Sequence, residues 1–482
     1  VYFGAFDLAA SAHDEMIHEG FAPDFTPDVI KQAESLHAPA SAAGLTDFRN
    51  LLWSSIDNDT SRDLDQIEAA ERVANGIRVL VGIADVTAAL DLHSPIDARA
   101  QSETTTVYTA ARIFPMLPER LSTDLTSLVE GQDRVAVVIE LVVAPDGSLA
   151  SSAIHRGIVR NRAQLTYSGV GPWLEGKAAP PRKVAESAEL QAQLKLQDEA
   201  ARALRQQRYR LGALRFDRIE AQAELTDGQV TGISGAGKNR ANDLIEDFMV
   251  GANEVMARIL RESGASSIRR VVRSPERWAR IVELASRYGA HLPVEPDSGA
   301  LNAFLMQRRT ADRVHYPDVS LAVMKLMGPG EYILAKPGDT QQGHFGLAAQ
   351  DYTHSTAPNR RFADIVVQRS IKAVLAKGPA AYSDAELDAI ARNCTLKEDR
   401  ARKVERTMNK RVAAVALQNR IGEAFDGVIT GVTPKGTFVR VSHPPVDGIL
   451  MRGERGVDVG DQVRVTLVST DPQRGYIDFA RA

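Results

Sequence analysis

The sequence predicts an α+β chain, a mixed α/β domain followed by a small closed β-barrel. Three observations carry this. Apolar runs bounded by turn residues fill the stretch between Leu51 and Val143, long segments of helical periodicity follow, and the residues after 423 return to brief strands broken by Gly and Pro. With 482 residues, 44% hydrophobic and 25% charged, the chain can bury a sizeable core, and wholesale disorder is excluded.

Residues 1–45 alternate short helical patterns with loops at Pro23, Pro27 and Pro39 and carry no recognisable chemistry. The runs 51–56 and 79–84 read as buried strands flanking an Asp-rich turn. Another strand, 135–143, ends at the turn Pro145-Asp146-Gly147, and 178–182 is an exposed Pro-rich loop. A long amphipathic helix is expected over 185–211. Its Arg202, Arg205 and Arg208 lie on adjoining parts of one face, with Arg210 and Arg215 behind, and a solvated surface is the plain reading. Helices follow at 240–263, 275–288, 361–376 and 384–420, the last basic between Lys397 and Arg411. The closing strands, with Gly at the bends, fit an OB-fold, whose face commonly takes single-stranded nucleic acid by stacking and positive charge. Phe438, Lys435 and Arg440 are its candidates, though such barrels also bind sugars or proteins. The expected divisions are 1–45, a short segment; 46–420, the mixed α/β domain; and 424–482, the barrel.

Composition narrows the function. The single cysteine, Cys394, permits no internal disulfide and no cysteine-rich zinc site, so a reduced cytoplasmic setting is expected. A net charge of −4 gives no global pull toward a polyanion. No apolar run approaches the ~20 residues that cross a bilayer, so no membrane is expected. The first residues lack a basic region and apolar core, which argues against a secretory signal, and the missing initiator Met implies trimming.

The densest chemistry is Ser55-Ile56-Asp57-Asn58-Asp59-Thr60-Ser61-Arg62-Asp63-Leu64-Asp65-Gln66. Asp63 and Asp65 share a side of an extended segment, and the turn can return Asp57 to the same pocket. Gathered carboxylates repel unless cations join them, and hard oxygen ligands favour Mg²⁺ or Mn²⁺, the ions of phosphodiester hydrolysis. The plain alternative is a solvated acidic turn. Asp57, Asp59, Ser61, Asp63, Asp65 and Glu68 also fall at EF-hand spacing, but Arg62 stands where that loop needs Gly. The run 232–239 resembles a phosphate-binding loop, with Asn239 in place of Ser or Thr, and a Gly-rich turn is the better reading. No Gly-x-Ser-x-Gly elbow supports a Ser/His/Asp hydrolase.

Ile56-Asp57, Asp63-Leu64-Asp65, Ile83-Ala84-Asp85-Val86, Pro115-Met116-Leu117-Pro118 and Leu121-Ser122 resemble, in order, the RNB catalytic domain of the RNase II family of exoribonucleases. Gly212-Ala213-Leu214, the segment 242–253, His344-Phe345-Gly346-Leu347 and the segment 352–364 agree. The final barrel is similar to the S1-like RNA-binding domain of these enzymes. The resemblance implies processive 3′-to-5′ hydrolysis of single-stranded RNA to nucleoside 5′-monophosphates, by a monomer. It implies Mg²⁺, with Mn²⁺ as a substitute, at Asp57, Asp63, Asp65 and Gln66. It further implies catalytic roles for Asp65, Arg360 and Glu405, and substrate contacts from Tyr167, Arg360 and Phe438. The helix 202–215 and the basic stretch 397–411 would line an RNA channel. Without the resemblance, Arg360 reads as a helix-start surface residue, Glu405 as a helix salt-bridge partner and Tyr167 as core.

Two departures stand out. Gln66 occupies the place of a fourth acid, so one cation would bind more weakly; the alternative function is an RNA-binding protein of this fold that has lost turnover. The two cold-shock barrels usual before the catalytic domain do not fit in 45 residues, which predicts a more open RNA entrance.

Overall fold

The computed structural model describes residues 6–38, 44–216, 220–226, 229–313, 315–340, 342–434, 436–458 and 460–481. Its centre is a six-stranded sheet in the order Thr46–Asp47, Leu149–Thr166, Trp53–Asp57, Gln66–Val73, Gly76–Ala84, Asp133–Val143. The strand Leu149–Thr166 pairs antiparallel with Asp133–Val143 along most of its length and parallel with Trp53–Asp57 at its end, so the sheet curls back on itself. Alternation assigns the faces. Trp53, Ile67, Leu80 and Val138 bury on one; Ile56, Val79, Val81 and Ile139 pack on the other against the helices Ala188–Arg210 and Arg240–Glu262.

Those helices change the reading of the arginines. Arg205 donates to Asp247 at 2.9 Å and pairs with Asp243 at 2.7 Å, Arg208 reaches Asp247 at 2.5 Å, and Arg202 is held by Asp198 at 2.8 Å. Asp247 is fully buried. Arg205 and Arg208 are thus consumed in holding two helices together, where the sequence suggested a solvated face or a channel wall, while Arg202 pairs within its own helix and stays exposed. The Gly-rich run is not a phosphate loop: its residues up to Ala236 belong to the strand Gln229–Ala236, and Asn239 caps the next helix by accepting from the amides of Ala241 and Asn242.

The first segment acquires a role as packing. The helix Leu8–His18 lies on the long helix Asp384–Leu417, burying Leu8, Ala12 and Met16 against Ala401, Val404, Met408 and Val412. Glu15 pairs with Arg411 at 2.9 Å, and Lys397 donates to the Gly20 carbonyl at 2.8 Å, so part of the basic stretch 397–411 faces protein.

The five strands Ala424–Thr433, Gly436–Ser442, Pro445–Arg452, Gln462–Asp471 and Tyr476–Arg481 close a barrel, as expected. Its core is continuous with Ala413, Ala414 and Leu417 at the end of the long helix. Phe438 is half-buried between the inward-facing Thr437 and Val439. Arg440 is forked onto Asp447 at 3.0 and 2.8 Å, and Lys435 lies outside the described residues. Among the described residues, no helix is long and apolar enough to cross a membrane.

Candidate active site

The strand Trp53–Asp57 delivers Asp57 at its carboxyl end, where its Oδ1 accepts from the Asn58 amide at 2.7 Å and the Ser61 hydroxyl at 3.0 Å. The chain then runs to the next strand through an anchored Leu64, whose N–H donates to the Ser127 hydroxyl and whose carbonyl accepts from the Leu128 N–H, both at 2.9 Å. Fixing Leu64 fixes the acids on either side. The flanks are strands, which removes the EF-hand reading. Asp59 turns away to accept from the Ser168 hydroxyl at 2.7 Å.

Asp65 is the best-defined member. Its Oδ1 accepts from the Asn359 amide at 3.0 Å; its Oδ2 is buried without a hydrogen-bond partner, 3.5 Å from Arg360 Nε. Burial pushes its carboxyl up to about 7, against the pull of Arg360 and the Asn359 N–H, and Asp63 adds to the rise. Burial also raises Asp63, with Asp57 adding and its own backbone amide and Arg360 opposing. The acids therefore sense one another and share one guanidinium.

Arg360 and Arg361 are sorted by the turn before the helix Phe362–Leu375. Arg361 is spent on Asp364, with two bonds at 2.8 Å, and Asp364 also accepts from the Ala357 amide. The Arg360 side chain stays 47% exposed beside Asp65. Its carbonyl accepts from the Thr106 amide at 2.9 Å, tying this turn to Val107–Tyr108. Tyr108, which the sequence reading passed over, is 39% exposed; burial of the phenol pushes its pKa up to about 12, while a hydrogen bond with Arg360 opposes this. The Tyr108 amide donates to Glu405 Oε1 at 3.3 Å, which links the long C-terminal helix to the aromatic beside Arg360.

Tyr167 opens the helix Tyr167–Leu174, its carbonyl fixed by Asn239 Nδ2 at 2.9 Å. Its phenol is raised by burial, with the charges of Asp57 and Glu68 adding, so it borders the acids while packing against core. Gln66 is buried, its Nε2 3.5 Å from the Ile56 carbonyl. Phe438 belongs to the barrel and is not among the residues gathered round Asp65.

The expected convergence of three acids is partial: among the described residues, no three His, Cys, Asp or Glu side chains stand close enough to hold a cation together. The donors nevertheless suit a hard divalent ion, since Asp65 Oδ2 and both oxygens of Glu68 are buried without hydrogen-bond partners.

Under-neutralised carboxylates on a curled sheet, beside a half-exposed arginine, are followed by a five-stranded barrel, which makes this a two-part chain. The chain belongs to the RNB domain family, which matches residues 45–377, and residues 423–482 match the RNase II-type exonuclease C-terminal S1 domain. It is 29% identical to Ribonuclease R 1 of Lactococcus lactis, an alignment covering 95% of this chain and 59% of that protein, and 28% identical to Ribonuclease R of Thermotoga maritima, covering 95% and 68%. The chain thus spans about six tenths of the length of the first of these relatives. Its fold matches Mycoplasma genitalium RNase R in complex with ribose methylated single-stranded RNA, with a TM-score of 0.89 at 21% identity, over 99% of this chain and 78% of that one.

Proposed function

We propose that this chain is a hydrolytic 3′-to-5′ exoribonuclease that degrades single-stranded RNA processively to nucleoside 5′-monophosphates with Mg²⁺, or Mn²⁺ in its place. The carrying observation is the Asp65–Arg360 pair: a buried carboxylate oxygen without a hydrogen-bond partner, next to a guanidinium that keeps half its surface open. Asp57, Asp63 and Asp65, with the Gln66 amide oxygen, would hold the divalent ion, which when bound activates water and offsets charge on the scissile phosphate. The Arg360 fork takes a phosphate oxygen and neutralises the charge that grows on it. Tyr108 and Tyr167 border the acids and would offer aromatic faces, and stacking tolerates any base, as processive degradation requires. Glu405 positions Tyr108 through its backbone, and Phe438 offers the barrel's aromatic contact to RNA.

The second reading, an RNA-binding protein without turnover, draws on Gln66 and on the incomplete gathering of the acids. Single-stranded RNA labelled at either end, incubated with Mg²⁺ and resolved by product, decides between them. Nucleoside 5′-monophosphates released progressively from the 3′ end are expected; intact RNA at every metal concentration would overturn the nuclease reading.

A further inference from the structure

Glu68 lies two residues beyond Gln66 on the strand Gln66–Val73, so both side chains leave the same face of the sheet. That face is apolar. Val81, its partner across one strand, and Ala70, next along its own, both belong to the core under the helices, and Ser54 stands opposite across the other strand. Glu68 is nevertheless fully buried there, and neither carboxylate oxygen, nor the Ser54 hydroxyl, has a hydrogen-bond partner. An ionised carboxylate in such a layer is among the costliest arrangements a fold can hold, so Glu68 either keeps a proton there or carries its charge beside a counter-charge. The position of that counter-charge is indicated by Asp57, whose charge bears on Glu68, and by Tyr167, which feels both acids.

We infer that Glu68 is a further ligand of the divalent cation, supplying from one step deeper on the same strand face the negative charge that Gln66 lacks. The inference rests on the reading of Asp57 and its neighbours as a cation site, and it explains how this sequence tolerates an amide at position 66. Charge count among oxygen ligands sets divalent affinity, so moving a carboxylate two residues along a strand keeps the count while shifting its place.

The test is Mn²⁺ binding to the full chain without RNA, read by the electron paramagnetic resonance of free Mn²⁺. Glu68→Gln, which keeps the shape, is expected to weaken binding about 10–100-fold, and adding Gln66→Asp to that variant to restore it. Folding is checked by urea denaturation without metal; should Glu68→Gln not fold, Glu68→Asp, one methylene shorter, is expected to weaken binding too. Unchanged Mn²⁺ affinity in the folded variant, or a wild type that binds no Mn²⁺, overturns the inference. The parent reading fails separately: wild type that binds Mn²⁺ through Glu68 but leaves RNA intact refutes the nuclease assignment alone, whereas RNA trimming beside an unaltered Glu68→Gln affinity refutes the Glu68 assignment alone.

Discussion

Arg360 Nε stands 3.5 Å from Asp65 Oδ2, too long for a hydrogen bond and close enough for charge to be felt. The carboxylate is buried and the guanidinium half-exposed, so Asp65 is under-compensated while Arg360 keeps donors for another anion. A pair arranged for stability alone would close to a bidentate contact, as Arg361 and Asp364 do one residue away.

Replacing Asp65 by Asn keeps its shape and the acceptor for the Asn359 amide but removes the charge. Mononucleotide release should fall by at least about 10–100-fold, the scale on which even groups supporting a metal ligand are felt. RNA retention on filters should not change. A variant as active as wild type would strip Asp65 of its assigned role.

Arg360→Ala removes the donor aimed at the phosphate and should slow turnover by about 10²–10³. Because Arg360 also faces buried Asp65 and meets Tyr108, the urea midpoint should fall as well, and turnover is read on protein shown to be folded. Arg360→Lys should recover only part of the rate, since a point charge lacks the planar fork; full recovery would mean that charge alone suffices.

Asp247 tests the reassigned arginine stripe. Asp247→Ala leaves Arg205 and Arg208 facing a buried gap and should cost about 3–5 kcal/mol in urea unfolding. Asp247→Asn should cost less. If these arginines instead served an RNA channel, stability would hardly move and RNA affinity would.

His344 gives a pH dependence with a definite sign. Burial, with Arg270 nearby, lowers its folded pKa to about 4, against an ordinary 6.5. The unfolded chain therefore takes up a proton that the folded one refuses, and this group's contribution to stability is lost as pH falls from about 6.5 toward 4. Buried carboxyls raised to about 7, Asp65 and Glu254, act in the opposite sense over part of that window, so the quantity to measure is a difference. Relative to wild type, His344→Asn should gain up to about 1.4 kcal/mol per pH unit on acidification. Parallel stability curves for the two proteins would contradict this.

What the sequence revealed and what it hid divide along the distance between partners. Strands such as 79–84 and helices such as 240–263 are written in local periodicity, and the structure has them as Gly76–Ala84 and Arg240–Glu262. The RNB resemblance, carried by ordered motifs, is borne out. Hidden were contacts made across the chain: the Asn359 amide reaches Asp65 over 294 residues, and Tyr108 meets Arg360 only because the turn before Phe362 folds onto it. Arg205 and Arg208 misled for the same reason, because Asp243 and Asp247 sit on another helix. Glu68 was in view only as an EF-hand position; an acid alternating with Gln66, flanked by Ile67, Ala69 and Ala70, was the signal available.

The helix Asp384–Leu417 touches three parts at once: it supports Tyr108 through Glu405, carries the helix Leu8–His18 along its flank, and ends inside the barrel core at Leu417. Its 34 residues make a rod of about 50 Å. A tilt of the barrel on gripping a strand would thus act as a lever arm on the aromatic beside Arg360, with the N-terminal helix serving as a splint that keeps the rod from flexing before the motion arrives.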